Sequence, residues 1–247
     1  MKPWFYELMP VLVTVSLRTG QGTVETMAML GNESLKIVPV GASPGPSSQP
    51  YVFYAANILG RSISSNSSSD VFVPEGLLVA RIMLGEGPEA DSLFFPARNV
   101  LFTAHLVVGG TVYVAGIHVE EVKEVTERLP GNTTIVIGAV HGDTMILHEY
   151  RVPGCSLPHD IYISNNTLYL SCMGGHDFNL VLLALDLATW KPLWGASYNA
   201  STMVFGAKGT PLIEMNNRLY VPVTNCLAVI GPRTGKPLKA ITLATMP

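Results

Sequence analysis

The chain carries little charge of either sign, with 15 lysines and arginines against 18 aspartates and glutamates in 247 residues and a net charge of -3. Charged residues make up 13% of the chain and apolar residues 48%, which excludes a disordered chain and a coiled coil. The charge balance also leaves no basic footprint of the kind that binds nucleic acid. We therefore expect a globular protein with a substantial core and no nucleic-acid partner.

The sequence also lacks an apolar run long enough to span a bilayer, so a transmembrane segment is not expected. Residues 1–17 resemble a signal peptide only superficially, because Glu7 and Pro10 interrupt the apolar run and no small-residue cleavage site follows cleanly. A Gly-rich phosphate loop, a nucleophile elbow and a paired-carboxylate motif are missing as well. These absences remove several common classes of enzyme.

Cysteine is scarce, with three residues and no adjacent pair. An odd count permits at most one intramolecular disulfide and leaves one thiol. Cys155 and Cys172 lie only a few residues apart across a predicted hairpin, which makes the Cα separation of a disulfide attainable. Such a bond would join the entry of that hairpin to its second strand.

Asn-x-Ser/Thr sequons, by contrast, are abundant, at five positions where the composition predicts roughly two. The excess favours an extracytoplasmic or secreted chain, although the turns of a loop-rich all-β protein also bring Asn, Ser and Thr together. The candidate glycosylation sites are Asn32, Asn66, Asn132, Asn165 and Asn199.

Residues 158–198 have the pattern of four short antiparallel strands. Residues 161–164 and 167–173 alternate apolar and polar side chains on either side of Asn165 and Asn166, which tolerate the positive φ angles of a tight turn. An apolar run over 180–187 and a return over 191–197 complete the unit. Four strands joined by tight turns form one blade of a β-propeller.

The same unit recurs along the chain. Three segments share an apolar strand, a two-residue turn and a tyrosine three residues later. The predicted turns are Gly109-Gly110, Asn165-Asn166 and Asn216-Asn217. The tyrosines, 56 and 51 residues apart, are Tyr113, Tyr169 and Tyr220. The sequence therefore predicts a single all-β domain, a β-propeller of about four complete four-stranded blades. The predicted blades cover about 34–97, 99–152, 158–198 and 210–243. In the first blade, the Pro- and Gly-rich residues 41–50 are predicted to form a loop. In the second blade, the predicted strands are 100–108, 111–119, 133–140 and 144–152.

A half-blade over residues 9–30 precedes these four. It contains only an outer pair of strands, so we expect an open or truncated propeller. Its unpaired backbone edge predicts self-association, or pairing with another chain, through residues 9–30.

Residues 184–194, ALDLATWKPLW, resemble the A-x-D-x-x-T-G-K-x-x-W repeat of pyrroloquinoline-quinone-type propellers, with Trp190 in place of the usual glycine. Residues 234–236 keep the turn of that repeat, with Lys239 where the tryptophan would be. Residues 158–160 with 168–170 are similar to the inner hairpin of NHL-type blades. These resemblances imply a fold rather than an activity, because propellers host many functions.

The quinone-dependent dehydrogenases of the related fold hold their cofactor over the channel with a vicinal disulfide, a calcium ion and an aspartate base. This chain has no adjacent cysteine pair, and its four to five blades are fewer than those enzymes use. The resemblance therefore does not extend to their active site.

A divalent metal is the other cofactor that the residues suggest. Counting back from the Asn165-Asn166 turn, a regular ladder places His159 opposite Cys172, and Cys155 opposite His176. Because the two pairs lie four residues apart along the ladder, one ion could not easily contact all of them, and hydrogen bonding of the histidines to backbone carbonyls is the alternative. The candidate metal ligands are His159, His176, Cys172 and Asp160. Asp160 and Asp177 could also orient the imidazoles of the histidines by hydrogen bonding to them.

The sequence thus predicts a noncatalytic propeller scaffold or binding module for protein or glycan contacts, outside the cytoplasm and without a cofactor. The alternative is a metal- or quinone-assisted enzyme with a site at the channel mouth, formed by His159, Asp160 and His176.

Overall fold

The computed structural model describes residues 11–15, 22–26, 35–44, 51–62, 71–83, 90–119, 133–174, 179–201, 212–223 and 226–242. Within these ranges the regular structure consists of 18 β-strands without a helix. Sixteen of the strands form four antiparallel four-stranded sheets, and the other two form a two-stranded sheet. The chain is therefore all-β and propeller-like, which confirms the predicted fold class.

Each sheet is a meander in which consecutive strands pair. The two-stranded sheet consists of β1 (Val11–Val15) and β2 (Gly22–Thr26). Sheet I consists of β3 (Leu35–Pro44), β4 (Tyr51–Ser62), β5 (Val71–Met83) and β6 (Ala90–Pro96). Sheet II consists of β7 (Val100–Val108), β8 (Thr111–His118), β9 (Thr134–His141) and β10 (Thr144–Arg151). Sheet III consists of β11 (Cys155–Ser164), β12 (Thr167–Gly174), β13 (Asn179–Asp186) and β14 (Pro192–Ser201). Sheet IV consists of β15 (Ile213–Met215), β16 (Arg218–Val223), β17 (Cys226–Ile230) and β18 (Pro237–Thr242).

Strand β13 shows why its sequence is a continuous apolar run. Successive side chains of a strand point to opposite faces of the sheet. One face of β13 packs into a cluster shared with sheet II through Val181, Leu183 and Leu185. The other face packs into a cluster shared with sheet IV through Leu180, Leu182 and Ala184. A strand that is buried on both faces has no place for the polar half of an alternating pattern.

Apolar clusters of the same kind lie between each pair of successive sheets. The cluster between sheets I and II includes Val79, Phe102 and Val114. Ile117, Ile135 and Leu170 belong to the cluster between sheets II and III. Leu182, Leu219 and Ile230 belong to the cluster between sheets III and IV. Since full burial of one such side chain contributes about 1.5–3 kcal/mol, the sheets stabilise the fold mainly by covering one another.

Polar side chains connect the sheets across these apolar layers. Asn57 in β4 is fully buried; its amide donates to the carbonyl of Phe102 and accepts from the N–H of Phe102, both at 2.8 Å. Thr103 donates to the carbonyl of Pro158 at 2.7 Å, which joins β7 to β11. A buried amide or hydroxyl without such a partner would cost about 1–3 kcal/mol, so these bonds also fix the relative position of adjacent sheets.

The first strands of sheets I, II and III share a β-bulge. The register shifts between Pro39 and Gly41 in β3, and between Phe102 and Ala104 in β7. It shifts again between Pro158 and Asp160 in β11. A bulge inserts one unpaired residue and bends the strand, so each of these three first strands bends part-way along its length.

The predicted strands of sheet II agree with the observed ones to within one residue. In sheet I the prediction of a loop over residues 41–50 was partly wrong. Residues 41–44 continue β3 beyond the bulge, where they pair with residues 52–55 of β4. Strand β3 lies at the edge of sheet I, where a strand tolerates Pro39 although this residue has no N–H to donate.

Trp190 replaces the glycine of the repeat, and its backbone has the φ that glycine would adopt, +56°. The ring of Trp190 stacks on His148 of β10 with centroids 4.7 Å apart. The carbonyl of Trp190 accepts a hydrogen bond from the hydroxyl of Tyr150 at 2.8 Å. Contacts between sheets II and III therefore hold a conformation that is strained for a side chain of this size.

None of the described residues form a helix long and apolar enough to cross a membrane.

The two-residue turns predicted at Gly109-Gly110, Asn165-Asn166 and Asn216-Asn217 are confirmed, with φ between +47° and +81° at all six residues. Positive φ at both central residues matches the twist of a two-residue hairpin.

We expect Asn166→Val to lower the free energy of unfolding by about 1 kcal/mol or more relative to Asn166→Gly, because valine is strained at positive φ and glycine is not. Both variants lose the asparagine side chain, so their difference in urea denaturation isolates the strain. Equal stability of the two variants would contradict this turn geometry.

Candidate functional site

The hairpin that carries the candidate metal ligands has the predicted register near its turn and a different register further away. Ser164 pairs with Thr167, and the ladder runs regularly to Asp160 opposite Ser171. An irregularity between Pro158 and Asp160 then shifts the register by one residue, so that Pro158 lies opposite Cys172. The predicted pairing of His159 with Cys172 was therefore wrong, because His159 is the extra residue of the bulge.

The second predicted pairing was also wrong, because a further irregularity between Cys155 and Leu157 places Cys155 opposite Gly174 rather than His176. His176 and Asp177, for which roles at a metal site were predicted, belong to residues 175–178, which lie outside the described residues.

Cys155 and Cys172 form a disulfide with an S–S distance of 2.08 Å and a Cα–Cα distance of 5.3 Å. Both residues are buried between sheets II and III. For a sequence separation of 17, the restriction of the unfolded chain corresponds to about 3 kcal/mol of stability. The bond also removes Cys172 from the candidate metal ligands, because zinc binds the thiolate.

Asp160 links sheet III to the residue that precedes sheet IV. Its two carboxylate oxygens accept hydrogen bonds from the N–H groups of Ile161, at 3.0 Å, and Leu212, at 3.1 Å. Burial raises the pKa of Asp160, and the two N–H groups act in the opposite direction. Burial also lowers the pKa of the neighbouring His159. Within the described ranges no three His, Cys, Asp or Glu side chains come close enough to share a metal ion.

An open groove of about 630 Å³ lies at the seam between sheets III and IV. In an antiparallel meander, the turn between the first two strands and the turn between the last two lie at the same end of the sheet. The groove is formed at this end by the β11–β12, β15–β16 and β17–β18 turns and the strand residues beside them. Its walls are Asn165, Thr167, Tyr169, Leu193, Glu214, Asn217, Pro232 and Arg233.

Glu214 is the central residue of β15 and pairs with Leu219 of β16. This register turns its side chain towards sheet III, on the same face as Leu219 in the cluster between the two sheets. The side chain is half-buried, and its Oε2 atom is inaccessible to solvent without a hydrogen-bond partner among the described residues. Because Glu214 lines the groove, a rotation of its side chain would bring this unpaired acceptor into contact with a bound molecule.

Tyr169 lies beside this carboxylate. Burial comes first among the causes that raise the pKa of Tyr169 to about 12, followed by the charge of Glu214 and a side-chain hydrogen bond to that carboxylate. Burial alone raises the pKa of Tyr150 to the same value. The hydroxyl of Tyr169 therefore stays protonated well above neutral pH and remains a hydrogen-bond donor.

Aromatic side chains hold the wall of the groove in place. The ring of Tyr169 packs against Trp194, with centroids 6.2 Å apart. The indole N–H of Trp194 donates to the carbonyl of Pro232 at 2.7 Å, and the hydroxyl of Tyr198 donates to the carbonyl of Gly235. These two bonds tie the β17–β18 turn to the last strand of sheet III, so the groove is built on ordered structure.

The groove offers both kinds of hydrogen-bonding group. Glu214 supplies an acceptor and Arg233 supplies donors, which leaves the lining without a formal excess of charge. The side chains of Asn165, Thr167 and Asn217 can both donate and accept. Such a surface is suited to a neutral ligand with many hydroxyl or amide groups.

Sequence reasoning identified two parts of this site and missed its centre. The Asn165-Asn166 turn and the repeated Tyr169 were both recognised, but as structural features. Glu214 was missed, although a carboxylate inside the apolar strand LIEM is the signal that could have indicated it.

Comparisons with known proteins add little to this geometry. No family model matches the chain, and no curated protein is similar to it. Among solved structures, one from Bacteroides fragilis, described provisionally as a 6-phosphogluconolactonase, is similar over 94% of this chain and 90% of its own. The identity is 12% and the TM-score 0.34, so this likeness carries no argument about the site or the activity.

Proposed function

We propose that this protein is a noncatalytic ligand-binding β-propeller that binds a glycan in the groove between sheets III and IV. The observation that carries the proposal is the buried Oε2 atom of Glu214, which lines the groove and lacks a partner among the described residues. Leaving a buried acceptor unpaired costs about 1–3 kcal/mol, and a ligand hydroxyl that donates to it would recover this free energy.

The shape of the site supports a glycan over a protein partner. The volume of about 630 Å³ lies within the range of about 300–1,000 Å³ that is typical of small-molecule sites. A protein interface instead covers about 800 Å² on each partner. Sugar hydroxyls both donate and accept, so they can pair with Glu214, Arg233 and the two asparagine amides at once.

An extracytoplasmic location fits this function. The buried disulfide between Cys155 and Cys172 would persist in an oxidising compartment and is rare in a reducing one. The five sequons indicate the same location. We therefore propose that the glycan-binding groove functions outside the cytoplasm.

Glu214→Gln should weaken binding to an array of neutral oligosaccharides roughly tenfold, because a neutral amide oxygen accepts a hydrogen bond less strongly than a carboxylate. Glu149→Gln is the matched control, since Glu149 is an exposed carboxylate on sheet II. The proposal would fail if the two variants bound the array equally well.

Tyrosine titration by NMR provides a check on the Glu214→Gln variant. Loss of the negative charge should lower the pKa of Tyr169 from about 12, while the pKa of Tyr150 should stay at about 12, because burial alone raises it. This pattern would show that the variant is folded and that only the groove has changed.

The two-stranded sheet of β1 and β2 supports a further proposal about partners. It is not paired with any of the four-stranded sheets among the described residues. A two-stranded hairpin alone is marginally stable, and its free edges invite pairing with another chain.

We expect light scattering to show self-association that increases with protein concentration. Deletion of residues 1–30 should abolish this self-association. A monomer that persists at all concentrations would contradict this proposal.

A further inference from the structure

Asn165 combines two features that sequence and structure reveal separately. It is the acceptor residue of the sequon Asn165-Asn166-Thr167, and its exposed side chain lines the groove. We propose that Asn165 carries an N-linked glycan and that this glycan covers the groove. The inference rests on the proposed function only in taking the groove as a glycan-binding site.

The two asparagines of this turn differ in what they contact. The side chain of Asn166 is hydrogen-bonded to Asp186, and its carbonyl accepts from the N–H of Leu187 at 2.9 Å. The side chain of Asn165 has no hydrogen bond to a described residue and is exposed. The amide nitrogen that the sequon identifies is therefore the accessible one, on a turn that projects from the end of sheet III.

The modification uses a lipid-linked oligosaccharide as donor. The side-chain nitrogen of Asn165 forms a bond to the anomeric carbon of the first sugar, while the bond from that carbon to the lipid phosphate breaks. The nitrogen loses one proton and the lipid phosphate leaves with the bonding electrons. No oxidant or reductant takes part.

A glycan attached at this position would have the opposite wall of the groove within reach. Asn165 forms the rim on sheet III, while Asn217 and Arg233 line the same groove from sheet IV. A short tether gives an effective concentration in the millimolar range, so even weak contacts would hold the glycan in place. The attached glycan would then compete with free ligands for Glu214 and its neighbours.

The test compares one sequence made in two hosts, one that performs N-glycosylation and one that lacks it, with secretion in both so that the disulfide forms. Glycopeptide mass spectrometry of the unaltered chain measures occupancy at Asn165. Access to the groove is measured with a maleimide on Leu193→Cys, a lining residue that is 54% exposed. Cys226→Ser removes the free thiol from the background.

Ile146→Cys in the same background is the control, because Ile146 is 52% exposed and belongs to β10, away from the groove. We expect Asn165 to be occupied in the first host, and Leu193→Cys to react several-fold more slowly there than in the second. Ile146→Cys should react at the same rate in both.

An unoccupied Asn165 would overturn the inference, and so would equal labelling of Leu193→Cys in the two forms. Neither result would bear on the proposed function, which is tested by oligosaccharide binding to the non-glycosylated protein. Conversely, the glycosylated protein could label slowly while its unmodified form binds no oligosaccharide. This result would support the proposal that the Asn165 glycan covers the groove, and it would contradict the proposed function.

Discussion

Burial of both faces of a sheet restricts every residue that the sheet contains. A polar group on such a strand is shielded from solvent, so its burial is costly unless it finds a hydrogen-bond partner in a neighbouring sheet. Asn57 meets this requirement with the backbone of Phe102, and Asp160 meets it with the N–H of Leu212. The same bonds that satisfy these groups also set how one sheet lies on the next, so packing and polar pairing specify a single arrangement together.

The groove follows from this arrangement at the end of one seam. Sheets III and IV are in contact through Leu182, Leu219 and Ile230, and they diverge where their turns begin. Glu214 lies at this boundary, close enough to the core for one carboxylate oxygen to be buried and close enough to the end for its side chain to line an open space. Its unpaired oxygen is one of five buried side-chain atoms without a hydrogen-bond partner among the described residues, and Glu214 is the one residue of the five that lines the groove.

Much of the fold could be predicted from local signals. The turn pairs at Gly109 and Asn165 require positive φ, and the alternation on either side of them defines hairpins whatever lies further away. Bulges could not be predicted, because the residue that a strand leaves unpaired is chosen by contacts with the next sheet. For that reason the predicted register beyond Asp160 was wrong, and the predicted pairing of His159 with Cys172 was wrong with it. The disulfide between Cys155 and Cys172 could still be predicted, because it required only that the two residues be near neighbours across the hairpin. The groove depends on two different sheets, with Tyr169 and Glu214 lying 45 residues apart in the chain, so no pattern within either sheet could have placed Glu214 beside Tyr169.

Amide hydrogen exchange tests the face-to-face stacking of the sheets most directly. Strand β13 is buried on both faces, whereas every residue of β18, the outer strand of sheet IV, is exposed. Local opening is costly where apolar contacts are many and inexpensive where they are few. Stacked sheets predict that peptides over residues 180–185 exchange among the slowest in the protein and far more slowly than peptides over residues 237–242. Equal exchange of the two strands would show that sheets II and IV do not cover sheet III, and would contradict both the fold and the groove derived from it.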